Sequence, residues 1–222
     1  MALTGRRPVL VAAGAALAAV AVVLVVQSRD GGEAPGSRPA TTVPLEAPVA
    51  VDPGRDEALA LIRKGESATY HARYEASAGA GEGFPRSVEV WRRPGSARTD
   101  TEYAAAGRVE RSASIRGAAG TVGCLRVNEE PWSCRRVDVA ADEVFAQAAA
   151  DLAGARVAAR DGEVRGRAAR CFAVDDGEAV ELCFDGDGVL LRLAVGEASL
   201  ELVSKEDAVD PSATAPPAEP AD

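Results

Sequence analysis

Residues 9–26 (VLVAAGAALAAVAVVLVV) form an uncharged apolar run of eighteen residues, and no other feature restricts the fate of this chain so strongly. At about 1.5 Å per residue, a helix of that length spans roughly 27 Å, close to the ~30 Å hydrocarbon thickness of a bilayer. Arg6 and Arg7 precede it. The positive-inside bias therefore predicts that residues 1–8 stay in the cytoplasm and that everything beyond the run is exported, as a single-pass cell-membrane protein. A cleaved signal peptide shares the charged start and the apolar stretch but should end in small residues. Here the run ends Val25-Val26-Gln27-Ser28, and the spacing Ala19-Val20-Ala21 lies inside it, so the uncleaved anchor is the expectation. The run contains no cysteine, which excludes a lipobox.

Residues 27–51 are rich in Pro, Gly, Ser and Thr without helical or strand periodicity, and read as a flexible linker. Residues 211–222 (PSATAPPAEPAD) have the same character and read as a disordered tail. What remains, residues 52–210, is about the size of one domain. The net charge of −9 repels phosphate backbones, and the arginines are scattered, so the expectation is no nucleic-acid partner.

The domain opens with a helix. Asp52 suits the N-cap and Pro53 the first position, Ala58, Leu61 and Ile62 share a face, and Gly65 ends it. The period then becomes two: Tyr70, Ala72, Tyr74 and Ala76 alternate with Thr69, His71, Arg73 and Glu75, as in a half-buried strand. Further strands are predicted at 87–93, 98–103, 109–115, 121–127 and 131–140. A second helix is predicted at 142–152, followed by strands at 155–160, 163–174, 179–185, 189–195 and 198–205. Asp161-Gly162, Asp176-Gly177, Asp187-Gly188 and Gly196-Glu197 supply the turns. This order predicts an α+β fold on one long antiparallel sheet.

Cys124 and Cys134 flank the turn Asn128-Glu129-Glu130-Pro131, and Cys171 and Cys183 flank Asp175-Asp176-Gly177-Glu178. Of the three possible connectivities, pairing within each hairpin asks least of the fold. If Phe172 and Val174 face the core with Val180, Leu182 and Phe184, Cys171 and Cys183 meet on the other face. Disulfides also suit an exported domain whose core is poor in aromatics.

No constellation announces catalysis, and no cofactor or metal is expected. Nucleophilic catalysis needs a base, and the one histidine, His71, alternates with core positions as a solvated strand residue would. Asp185-Gly186-Asp187-Gly188 resembles the start of a calcium loop, but the later ligands are missing and Asp-Gly pairs between strands are first of all turns. Arg126 and Trp132 can face each other across the first hairpin as a cation–π pair.

The segment Val88-Glu89-Val90-Trp91-Arg92-Arg93-Pro94-Gly95-Ser96-Ala97-Arg98 resembles the strand, Arg-Pro-Gly turn and strand found early in the LolA-like superfamily. That superfamily comprises lipoprotein carriers, LppX/LprG-type lipid-binding proteins and RseB-like N-terminal domains. The element order of residues 55–205 is similar too. The resemblance implies a strongly curved antiparallel half-barrel with two or three helices on its concave face, and an acyl-chain cavity between them. This chain departs from the pattern in its helical anchor and in its few bulky aromatics.

Two functions follow from these readings. One is an anchored extracytoplasmic domain that binds a lipid or acyl chain, with small inward residues such as Ala72 and Ala113 as cavity positions. The other is an envelope sensor or regulatory domain that docks a membrane-protein partner without cargo. Fixed anchoring favours the second, since a tethered carrier exchanges only locally.

Overall fold

The structure is a computed structural model that describes residues 52–77, 80, 81, 83–105, 107–137, 152, 155–175 and 179–221. The expected anchor and linker lie outside these residues. Among the described residues, no helix is long and apolar enough to cross a membrane.

Helix α1 (Pro53–Ser67) starts where its capping residues place it. Asp52 Oδ1 accepts the backbone N–H groups of Gly54 at 3.1 Å and Arg55 at 3.3 Å, satisfying two donors that have no partner inside the helix. Eleven strands follow: β1 (Tyr70–Ala76), β2 (Ser87–Arg93), β3 (Ser96–Ala105), β4 (Arg108–Gly117), β5 (Gly120–Val127), β6 (Ser133–Val137), β7 (Arg156–Val164), β8 (Arg167–Asp175), β9 (Ala179–Phe184), β10 (Leu190–Val195) and β11 (Ala198–Glu206). They form one sheet in the order β6-β5-β4-β3-β2-β1-β11-β10-β9-β8-β7, and every strand pair in it is antiparallel. The chain thus enters at the centre, meanders out to one edge, crosses to the other edge and meanders back until β11 closes on β1.

Successive residues of a strand point to opposite faces, so the registers divide the sheet cleanly. On one face lie Tyr70, Ala72 and Tyr74 of β1, Val88 of β2, Phe172 and Val174 of β8, Val180 and Phe184 of β9, and Leu200 and Leu202 of β11. Ala58 and Ile62 of α1 complete this core. The Phe172 and Phe184 rings sit 6.1 Å apart. A register shift opposite Arg73 and Tyr74 pairs them with Ser204 and Leu202, so Leu202 and Lys205 both point to the helix face.

The helix lies very close to the strands. A Cβ built on Gly54 would fall 2.3 Å from the carbonyl oxygen of Val157, and one on Gly65 would fall 2.2 Å from that of Gly188. At Gly188, whose φ is +78°, a Cβ would meet the Leu61 carbonyl oxygen at 2.1 Å. Glycine is needed there twice over, for its backbone region and for the approach.

Two expectations need correction. The described residues form one open, uncurled sheet ending at β6 and β7, with α1 as its one complete helix, in place of a half-barrel carrying two or three helices. The helix expected at 142–152 lies outside the described residues except for Leu152, which is helical and buried. The first turn of the second hairpin series lies at Arg165-Gly166, both with positive φ (50° and 78°), and β7 runs straight through Asp161-Gly162. Continuing the strand buries Val164, and Gly162 serves there as a close contact, since a Cβ would reach Cys171 Sγ at 3.2 Å.

Candidate functional site on the face opposite the helix

The outward phase of β1 to β6 carries aromatic and charged residues in register. Across β1, β2 and β3, His71, Trp91 and Arg98 are direct partners. His71 stacks on Trp91 with ring centroids 5.0 Å apart and planes 6° from parallel, and the Arg98 guanidinium sits 5.1 Å from the Trp91 ring centroid. His71 Nε2 also lies 2.7 Å from Glu89 Oε1. The expected solvated histidine is therefore half-buried against an indole.

One row further along the strands, Arg73, Glu89, Asp100, Ala113, Cys124 and Cys134 are partners in turn. Arg98 grips Asp100 with both ends of its fork, Nε to Oδ1 at 2.7 Å and Nη2 to Oδ2 at 2.6 Å. Burial pushes the Asp100 carboxyl above its ordinary pKa even so, with Arg98 pulling the other way. Beyond it, Arg111 donates to Glu102 at 2.8 Å, and Arg126 lies 4.9 Å over the Trp132 ring, the cation–π pair expected across the first hairpin. Arg73, Glu89, Asp100, Glu102, Arg111 and Trp132 help line a groove of about 390 Å³.

Beside the groove lies a smaller apolar patch of Ala113, Ile115, Val122, Cys124 and Cys134, with Trp132 and Ala218 packed on it. Ala218 belongs to the tail that reads as disordered by composition. The segment runs across this face instead. It makes a 3-10 turn at Pro211–Thr214, started by Asp210, whose Oδ1 accepts from Ser212 N at 2.8 Å. Arg98 Nη1 then reaches the carbonyls of Ala213 at 3.5 Å and Ala215 at 3.2 Å. At the far end, Ala221 N donates to the Cys134 carbonyl at 2.9 Å and forms a parallel bridge to Arg135 on the edge strand β6. Composition misses this because a Pro/Ala segment has no core of its own to form. The outward-phase Trp91 and Trp132 were the available hint that something covers that face.

The cysteines pair within hairpins as expected: Cys124 with Cys134 and Cys171 with Cys183. Both couples are direct register partners on the face away from α1. Glu181 lies beside Cys171 and Cys183, but both sulfurs are tied up in the bridge, which leaves no thiolate for a metal. In the Asp185-Gly186-Asp187-Gly188 turn, Asp185 Oδ1 accepts the N–H groups of Asp187 and Val189, each at 2.9 Å. Lys205 and Lys64 pair with its two carboxylates. Those groups stabilise the turn.

Ala72 and Ala113 are both fully buried, but the structure does not bring them together. Ala72 pairs with Val90 on the helix face, whereas Ala113 pairs with Asp100 and Cys124 on the other. One cavity cannot be lined by both. A second cleft, of about 740 Å³, lies where β7 and β9 begin and β8 ends, lined by Asp52, Arg156, Val157, Val174, Ala179 and Val180 among others.

Compared with known proteins, the sequence matches no protein-family model and no curated protein.

Proposed function

We propose that this chain is a membrane-anchored extracytoplasmic binding domain that docks a protein partner through the groove opposite α1. The observation that carries the reading is a contrast between the two faces of the sheet. Beneath α1, the helix backbone approaches Val157 and Gly188 so closely that Gly54 and Gly65 have no room for a Cβ, and Phe172, Phe184 and Leu191 are fully buried. The opposite face keeps an open groove whose walls alternate Arg73, Arg111 and Arg126 with Glu89, Asp100 and Glu102. Mixed charge around a tryptophan suits polar protein surface and repels hydrocarbon. The sheet positions these groups rigidly, and the anchor predicted at 9–26 would hold them near membrane partners. No catalysis is invoked.

Lipid or acyl-chain binding is the second reading. It draws on the LolA-like element order and on the apolar cleft at the ends of β7 to β9. Organic extraction of the purified full-length protein, followed by mass spectrometry, separates the two. Stoichiometric co-purified lipid would overturn the docking reading. Crosslinking to a membrane or envelope protein, lost in Arg111→Glu/Arg126→Glu, is the expected result.

A further inference from the structure

The tail docked on the patch beside the groove, sharing Arg98 and Trp132 with it, points to the kind of partner this face takes. We infer that the surface from Trp91 and Arg98 to the edge of β6 is a binding site for an extended, proline-rich protein segment, and that residues 211–221 fill it in cis. This rests on the docking reading above and specifies its partner.

The tail is held as a foreign peptide would be. Arg98 binds the carbonyls of Ala213 and Ala215, two residues apart, so it reads backbone and tolerates any side chain. Ala218 supplies an apolar contact to the Cys124–Cys134 patch beside Trp132. Ala221 adds one rung to β6, an edge strand whose outer side is otherwise free among the described residues. Aromatic surface, a backbone-reading arginine and strand addition at an edge are recurrent ways of binding extended peptides. Prolines favour such a segment because the chain is already extended and loses little entropy on docking. Pro211, Ser212, Ala215, Pro216 and Glu219 stay exposed, so the contact is shallow. A segment with longer pairing along β6 could displace it.

The test uses full-length protein in detergent and a fluorescent peptide with the sequence of residues 209–222. In the wild type, the covalent tail competes at an effective concentration of about a millimolar. Ala218→Asp/Ala221→Pro removes the apolar contact and the β6 donor, freeing the tail. The freed-tail variant should bind the peptide about tenfold or more tightly than wild type, and adding Arg98→Ala should abolish the gain. Equal binding by wild type and variant, or a gain that survives Arg98→Ala, overturns the inference. A wild-type measurement guards against misfolding of the variant: excess peptide should accelerate hydrogen exchange at the Ala221 amide, and unchanged exchange counts against the inference. Lipid found by extraction would overturn docking and leave the peptide result standing. A crosslinked partner without peptide exchange would sink this inference alone.

Discussion

Asp52 Oδ2 accepts the backbone N–H of Val157 at 2.9 Å, joining the start of α1 to the edge strand β7 across 105 positions of sequence. The bond to Val157 N–H, aided by those from Arg55 and Gly54, holds the Asp52 carboxyl below its ordinary pKa. A folded value below the unfolded one means that its stabilisation is complete above the unfolded pKa of about 3.9 and is lost as pH falls through the folded value. Asp52→Asn should therefore flatten the acid limb of the unfolding curve between those two values. Asp52→Ala should lower the thermal midpoint further at neutral pH. Equal acid limbs in wild type and Asp52→Asn would refute the assignment.

Arg98 is predicted to matter through what it leaves behind. Arg98→Ala strands Asp100 half-buried without its partner and should cost about 2 kcal/mol at neutral pH. Burial raises the Asp100 pKa, so ionising it opposes folding, and stability falls as pH rises from the unfolded value through the folded one. Loss of Arg98 enlarges that shift. Asp100→Asn in the same chain should restore much of the loss, as chemical denaturation across pH 4 to 8 would reveal; no rescue would mean that packing dominates.

Glycine at the β9–β10 turn is predicted to be indispensable. Gly188→Ala puts a methyl against the Leu61 carbonyl at a positive φ and should destabilise by at least about 2 kcal/mol. Gly186→Ala, two residues away, meets nothing within 4 Å and serves as the neutral control in the same melt.

Ala72→Leu and Ala113→Leu separate a filled core from a vacant cavity. Both sites are fully buried, so each substitution should overpack and cost about 1–3 kcal/mol. Unchanged stability with reduced lipid uptake would support cargo binding instead.

The hairpin bridges close short loops, with sequence separations of 10 and 12. Replacing either couple by alanines should lower stability by about 2–3 kcal/mol. Non-reducing peptide mapping should recover only the 124–134 and 171–183 links.

Period-two alternation, turn residues and capping chemistry are local, and they made α1, the strands and both disulfides legible, because each depends on neighbours within a dozen residues. Where local signals competed, tertiary contacts decided. Asp161-Gly162 has turn chemistry, yet burial of Val164 and the contact of Gly162 with the Cys171–Cys183 bridge carry β7 past it. The fate of the tail was illegible for a related reason. Pro and Ala carry no periodic pattern, and the groups that bind the segment, Arg98 and Cys134, lie far away in the chain. Ala72 and Ala113 look alike as small residues in alternating strands. By itself the sequence determined which residues alternate within each strand. Only the sheet register decided that these two alanines lie on opposite faces, because a strand's phase relative to its neighbours is set by pairing between distant segments.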